Sequence, residues 1–182
     1  MQIRKASVDD AKGIARVNVD CWKSAYKHVL PSHIINKLTY SDREERWKKN
    51  LPDSTSGGTM TFVAEDQNGE IIGFALGGTM RDPRLRIKYT GELYALYVSP
   101  EFQGRGIGRK LFDSVIHHLS SLRHSSVALW VFEDLHSCTF YTHLGGEQIY
   151  HKKTTVGGKT LNELAFGWQG LDEQTENDNR LN

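Results

Sequence analysis

The spacing of apolar residues changes several times along the first half of the chain, and each change predicts a new secondary-structure element. Residues 2–6 alternate between polar and apolar and predict a short strand. From Ala11 to Val29 apolar residues recur at helical spacing behind a Ser7 start signal, which predicts an amphipathic helix. Two shorter helices follow over 30–38 and 41–51, each opened by a Ser or Pro, and a hairpin is predicted for 59–80 around a Gln-Asn-Gly turn.

The second half of the chain predicts the centre of a sheet. Residues 91–98 are apolar on both faces, which is typical of an interior strand. Strict alternation gives this strand one face of Leu93, Ala95 and Tyr97 and another of Glu92, Tyr94, Leu96 and Val98. An apolar helical face over 107–122 and an apolar strand over 126–132 then predict a right-handed strand–helix–strand unit with parallel strands.

The remaining segments close one domain. A short helix over 135–144 ends at a pair of glycines, and the last hairpin of 147–168 turns at a second pair. We find no repeat and no linker, so residues 1–168 predict a single α/β domain with a mixed sheet. Residues 169–182 carry too little apolar surface to fold and predict a disordered polar tail.

The composition of the chain argues against nucleic acid, a membrane or a metal ion as its partner. The 182 residues carry 23 Lys and Arg against 22 Asp and Glu, so no strong field selects nucleic acid or an anionic membrane as a partner. Two cysteines and eight scattered histidines show no metal-ligand spacing, and no metal is expected. The first residues lack an apolar leader and no window is long enough to cross a membrane, which favours a cytoplasmic protein.

A glycine-rich loop separates the central strand from the helix that follows it. Gly104, Gly106 and Gly108 stand at alternate positions, where a helix N-terminus would offer free N–H groups to a phosphate. The Walker spacing is absent, and the dinucleotide fingerprint fails because Arg109 stands where its third glycine should be. A Q-x-x-G-x-G pattern from Gln103 remains, flanked by arginines that can assist phosphate binding.

The segment LYALYVSPEFQGRGIGRKLF resembles the acetyl-CoA signature of the GNAT superfamily of N-acetyltransferases. The order of the predicted elements is similar to that family over most of the chain. The resemblance implies a mostly antiparallel sheet flanked by helices, with a central parallel strand pair splayed to hold CoA. It further implies that the strand end pairs with the pantetheine arm and that the loop wraps the pyrophosphate, through Leu96, Tyr97, Val98, Gln103, Gly104, Arg105, Gly106, Ile107, Gly108 and Arg109.

Acetyl transfer to an amine needs a group that takes the ammonium proton, and Glu92 is the candidate. It is the one charged residue in its strand, and apolar surroundings disfavour a charged carboxylate. In the GNAT family a glutamate base, where present, lies at this place on this strand. Two alternatives stay open: Glu92 could be a solvated strand-end residue, and the amine could lose its proton through water.

The candidate acid is Tyr141. The segment TFYTHLGG resembles the family segment whose tyrosine hydroxyl protonates or stabilises the leaving thiolate. From the residues alone, Tyr141 would be a packing residue beside Phe140. The chain departs from the family pattern twice: Asp134 stands where an asparagine often contacts pantetheine, and Gly146 replaces a phenylalanine.

The resemblance therefore implies an acetyl-CoA-dependent N-acetyltransferase that acts on a primary amine by direct transfer in a ternary complex. Cys21 and Cys138 show no base neighbour in sequence, so a covalent thiol route is the weaker version. An acyl-CoA-binding regulatory module without transferase activity is the alternative. The acceptor amine, a small molecule or a protein, is not identified, although Trp22, Tyr26 and a basic loop over 81–88 are candidates for its walls. The oligomeric state is also open, a homodimer being common in this family.

Overall fold

A computed structural model describes residues 1–51, 58–133, 135 and 137–171. Its centre is a seven-stranded mixed sheet with the strand order β1-β2-β3-β4-β5-β7-β6. The strands are β1 (Gln2–Lys5), β2 (Met60–Glu65), β3 (Ile71–Thr79), β4 (Gly91–Val98), β5 (Ser126–Phe132), β6 (Glu147–Val156) and β7 (Lys159–Gln169). All neighbours are antiparallel except β4 and β5, which confirms the predicted mixed sheet with one central parallel pair.

The helices lie where the apolar spacing predicts them, except that the first helix ends at Ala25 and not at Val29. They are α1 (Ala11–Ala25), α2 (Ser32–Asn36), α3 (Tyr40–Asn50), α4 (Ile107–Ser121) and α5 (Ser137–His143). The helix α3 begins after Thr39, whose hydroxyl accepts a hydrogen bond from the Asp42 N–H at 3.1 Å, and not after Ser41. Thr39 satisfies one of the free N–H groups of the first turn and so sets the start of this helix.

The two faces of the sheet carry different helices. The apolar stripe of α4 packs on one face around Leu111, Val115 and Leu119, all of them fully buried. The stripe of α1 packs on the opposite face around Ile14 and Val17. Within the described ranges, no helix is both long and apolar enough to span a bilayer.

The predicted faces of β4 are wrong beyond Leu93. Leu76 on β3 pairs with Ala95 and Gly77 pairs with Leu93, so Tyr94 is an extra residue in β4 and forms a β-bulge. Because a bulge offsets the alternation by one residue, Leu96 and Val98 face α4 together with Leu93. The opposite face carries Glu92, Tyr94, Ala95 and Tyr97.

The described chain continues past the predicted domain boundary. The strand β7 ends at Gln169, and Leu171 is fully buried with its N–H donated to Ser125 O at 3.1 Å. These last residues therefore belong to the folded domain. The remainder of the predicted tail, 172–182, lies outside the described residues.

Candidate active site

The strands β4 and β5 are joined over only two positions. Gly91 pairs with Val127 and Glu92 pairs with Ala128, whereas beyond them β4 pairs with β3 and β5 pairs with β7. Across the described part of both strands, the two facing edges therefore separate after Glu92 and form a V-shaped splay in the middle of the sheet. Unpaired N–H and C=O groups along such an edge can hold an extended ligand as an added strand.

The glycine-rich loop lies at the open end of this splay. Gly104 and Gly106 have φ angles of +72° and +76°, which L side chains rarely adopt, and no atom lies within 4 Å of where a Cβ would be. The first amide of α4 bonded to a nearby carbonyl is that of Lys110, which donates to Gly106 O at 3.2 Å. The amides before it are the free donors of a helix N-terminus, and the space beside them is open.

The loop is tied to the end of β4 by a side chain. Gln103 Nε2 donates a hydrogen bond to Val98 O at 2.9 Å, which explains why a glutamine opens the motif. The Cys21 thiol donates to the same carbonyl at 3.2 Å. Arg105 and Arg109 are exposed beside the loop, with Arg105 bonded to Glu101 O and Arg109 3.9 Å from Asp113. Both can reorient toward an anion.

Two residues of the motif face the protein interior. The Ile107 side chain is 3% exposed in the core below α4, so only its backbone is available to a ligand. A Cβ on Gly108 would lie 3.2 Å from the Phe140 ring and 3.7 Å from Leu96. Gly108 therefore allows α4 to pack closely against α5 and β4, a role different from that of the first two glycines.

Glu92 is buried and ion-paired at the closed end of the splay. Its residue is 6% exposed, and Arg81 donates three hydrogen bonds to its carboxylate: the backbone N–H at 2.8 Å, Nε at 3.2 Å and Nη2 at 2.8 Å. The Arg81 guanidinium also lies 3.6 Å from the centre of the Tyr94 ring. Glu92 is therefore not a solvated strand-end residue. A carboxylate has about four acceptor positions, so the clamp leaves about one for an amine or a water.

Tyr141 lies in the wall of the splay on the α4 side. It is 7% exposed and packs between Phe140, Phe166 and Trp168, with ring centroids 5.2 to 6.2 Å away. Burial, followed by the nearby Tyr97, raises the pKa of its hydroxyl. The phenol therefore stays protonated at neutral pH, which an acid requires.

Two further tyrosines reach the same opening from the α1 side: Tyr26, a candidate wall of the acceptor site, and Tyr97, a candidate contact of the co-substrate. Burial raises the pKa of Tyr26, and Tyr97 and Tyr141 add to the rise, so the three hydroxyls are mutually close. Tyr97 accepts a hydrogen bond from Trp22 Nε1 at 3.0 Å. The Tyr26 ring meets Phe132 of β5 edge to face at 5.7 Å. Because Tyr97 belongs to β4, this aromatic group bridges the splay from one strand to the other.

The basic loop over 81–88 is neutralised in part. Arg81 pairs with Glu92, and Arg84 pairs with Asp82 at 2.8 Å. Arg84 and the β6 residue Lys152 also lie near the Trp130 ring. Two of the four cations of this loop, Arg81 and Arg84, thus have carboxylate partners within the fold, whereas Arg86 and Lys88 are exposed.

The predicted pantetheine contact of Asp134 lies outside the described residues. In the described ranges, no group of three or more His, Cys, Asp or Glu side chains could hold a metal ion. Gly146 is closely packed, since a Cβ there would lie 2.5 Å from the Trp168 ring. A phenylalanine at this position would collide with Trp168, which therefore occupies the space that the larger residue needs.

The chain resembles solved acetyltransferases along nearly its whole length. It superposes on PaiA N-acetyltransferase from Thermoplasma acidophilum, a complex with coenzyme A, with a TM-score of 0.73 and 19% identity over 92% of this chain and 98% of that one. It superposes on the putative acetyltransferase yncA from Salmonella typhimurium, a complex with acetyl-CoA, with a TM-score of 0.68 and 20% identity over 93% of each. At these identities the likeness shows the fold.

Sequence similarity shows the family. The chain is 35% identical over 169 residues to the uncharacterized N-acetyltransferase YuaI of Bacillus subtilis, covering 93% of each protein. The profile of the acetyltransferase (GNAT) family matches residues 22–145. The glycine-rich loop and the two strands of the splay, β4 and β5, fall inside that match. The chain therefore belongs to the GNAT family of acetyltransferases.

Proposed function

We propose that this acetyltransferase moves the acetyl group of acetyl-CoA to a primary amine by direct transfer in a ternary complex. One observation carries the proposal: the open, glycine-lined amides at the start of α4 lie at the mouth of the splay that Tyr141 walls. A phosphate at the loop and an extended arm between β4 and β5 would together place a thioester inside the sheet.

The phosphate end of the co-substrate fits the loop. The amides from Gly104 to Arg109 and the positive end of the α4 dipole favour an anion, and the glycines leave the approach open. Arg105 and Arg109 add charge at the rim. The PaiA and yncA structures, which hold CoA and acetyl-CoA, support the same ligand for this chain.

The leaving sulfur needs a proton, and we assign it to Tyr141. As the amine nitrogen bonds to the carbonyl carbon and the C–S bond breaks, the Tyr141 hydroxyl donates its proton to the sulfur. Its burial keeps the hydroxyl protonated until the thiolate forms. The phenolate left behind is a stronger base than the thiolate, and it regains a proton from the second N–H that the amine nitrogen gives up as the amide forms, so no free charge is released inside the dry site.

We assign the amine proton to Glu92. Three hydrogen bonds from Arg81 fix the carboxylate in position and leave about one acceptor position for the ammonium or for a water that relays the proton. Glu92 lies on the face opposite Tyr141, so the acid and the base approach the reacting carbon from different sides. That arrangement suits an amine and a thioester that meet in the plane of the sheet.

Direct transfer is supported by the state of Cys21. Burial, then Asp20 and Glu101, raises the pKa of its thiol to about 12, and the thiol donates to Val98 O. A thiol that stays protonated at neutral pH is a poor nucleophile, so a covalent acetyl-cysteine at this position is disfavoured.

The first test is calorimetric titration of the purified protein with acetyl-CoA and, separately, with NAD and ATP. Selective binding of acetyl-CoA is expected, followed by release of free thiol when a panel of primary amines is added. Binding without thiol release from any amine would favour the regulatory alternative. No binding of acetyl-CoA would refute the proposal. The cytoplasmic location stays a prediction. A homodimer also stays a prediction, and light scattering would detect it.

A further inference from the structure

Arg43 on α3 is a half-buried cation without a carboxylate partner among the described residues. Its guanidinium carbon lies 5.4 Å from the centre of the Trp22 ring. Burial, and then the neighbouring Arg46, lowers its pKa. Burying a charge without an opposite charge is unfavourable, so a fold that keeps one in this position calls for an explanation.

The position of Arg43 is next to the splay. Trp22, whose ring lies beside the Arg43 guanidinium, donates its indole N–H to the Tyr97 hydroxyl at 3.0 Å. Trp22 also packs on Tyr26 at 4.7 Å, and Tyr26 meets Phe132 across the opening. Arg43 therefore lies over the aromatic group that bridges β4 and β5, on the face of the sheet opposite Tyr141 and α4.

Three other cations on this side of the sheet have carboxylate partners. Arg81 is paired with Glu92 and Arg84 with Asp82, while Lys152 lies 3.1 Å from Glu163. Arg43 has no such ion pair among the described residues, and the charge of Arg46 on the same helix acts against its own positive charge. Two adjacent guanidinium groups repel each other until an anion lies between or beside them.

We propose that Arg43, with Arg46 beside it, forms an anion-binding subsite that receives a carboxylate or a phosphate of the acceptor amine. The planar guanidinium offers paired N–H donors that match both groups, and its contact with the Trp22 ring places it beside the opening before the ligand arrives. The acceptor class is then an amine with an anionic group at its other end. The identification of the ligand as the acceptor amine rests on the proposed function, whereas the anion site itself does not depend on it.

The first experiment detects the anion directly. In ¹⁵N-labelled protein, the Arg43 Nε–H signal is assigned by its loss in Arg43→Lys. Sodium succinate is titrated in one arm and inorganic phosphate in the other. A saturable shift of the Arg43 signal is expected, and the arm that produces it tells a carboxylate site from a phosphate site. The exposed Arg123, at the far end of α4, is the internal control. If the Arg43 signal only drifts with ionic strength, as that of Arg123 does, the proposal is overturned.

The second experiment measures specificity with matched amines: γ-aminobutyrate against butylamine, and phosphoethanolamine against ethanolamine. The wild-type protein is expected to prefer the anionic member of at least one pair. Arg43→Gln should lower kcat/KM for that member by about ten- to a hundredfold, the effect of losing charge-assisted hydrogen bonds. The neutral member should change little, and Arg43→Lys should retain part of the preference. Equal losses for both members would assign Arg43 to support of Trp22 only and contradict the subsite.

The two proposals fail separately. Acetyl transfer with no preference for anionic amines, and no saturable shift at Arg43, overturns the subsite and leaves the transferase intact. Saturable anion binding at Arg43 in a protein that neither binds acetyl-CoA nor releases thiol overturns the transferase and leaves the anion site. Arg123→Gln should match the wild type in both experiments.

Discussion

A methyl group added at Gly106 tests whether the loop glycines serve a ligand or only a turn. Gly106 has a φ of +76° and no atom within 4 Å of its would-be Cβ. Gly158, in the turn between β6 and β7, has a φ of +85° and equally open space. Gly106→Ala and Gly158→Ala therefore introduce the same backbone strain without a clash, one beside α4 and one away from it.

The magnitudes follow from that match. A non-glycine residue in the left-handed region costs roughly 1–2 kcal/mol, so both variants should lose similar stability. For a chain of this length each kcal/mol lowers Tm by about 2–4 °C. If amides beside Gly106 bind a phosphate, a methyl group in their approach weakens at least one charge-assisted hydrogen bond. Such a bond is worth about 1.5–3 kcal/mol, or roughly ten- to a hundredfold in the Kd of acetyl-CoA.

The assay combines thermal unfolding with calorimetric titration of acetyl-CoA for the wild type and both variants. We expect equal losses of Tm and a loss of affinity in Gly106→Ala alone. If Gly106→Ala binds acetyl-CoA as tightly as Gly158→Ala does, the glycine is a turn residue and the phosphate site must be sought elsewhere. A loss of affinity in both variants would show that general destabilisation, and not the local approach, weakens binding.

Three further predictions concern single side chains. Tyr141→Phe should lower kcat by about a hundredfold or more while the Kd of acetyl-CoA stays near the wild-type value, because only the proton donor is removed; equal losses of both, measured by thiol release and calorimetry, would point to packing. Glu92→Gln should lower kcat/KM by a similar factor and remove the acidic limb of the pH profile of kcat/KM; an unchanged profile would place the base elsewhere. The hydrogen bond from Arg84 is the main cause that lowers the pKa of Asp82 from 3.8 to about 2. The stabilisation that Asp82 contributes to folding is therefore fully present above pH 3.8 and is lost as the pH falls from 3.8 to about 2. Denaturant unfolding at a series of pH values should show the difference between wild type and Asp82→Asn shrinking as the pH falls, and a constant difference would contradict the ion pair's role.

The elements that could be predicted from the sequence are those with a regular local signal. The stripes of α1 and α4 repeat at helical spacing because one side of each helix packs on the sheet. The strand β5 is apolar throughout because both of its faces are covered. The left-handed loop glycines are detectable in the sequence because few other residues adopt that backbone conformation.

The candidate site was only partly predictable. Motif or composition signals identify the glycine loop, Glu92 and Tyr141. The sequence places Arg81 only in a basic loop and does not indicate its ion pair with Glu92, eleven residues away. A hairpin connection brings the two together, and its pairing register sets their contact. Arg43 gave no signal at all, since an arginine on a polar helix looks solvated until its neighbours are known.

The local residue pattern thus accounts for the order of the elements, the parallel pair and the glycine-rich loop, because each depends on neighbours within a few positions along the chain. It could not give the bulge at Tyr94, the aromatic bridge from Tyr26 to Phe132 or the uncompensated charge of Arg43. A bulge arises from how two strands pair, and an aromatic contact or a desolvated charge arises from which distant segments pack together. These features depend on long-range contacts that no local window of residues contains.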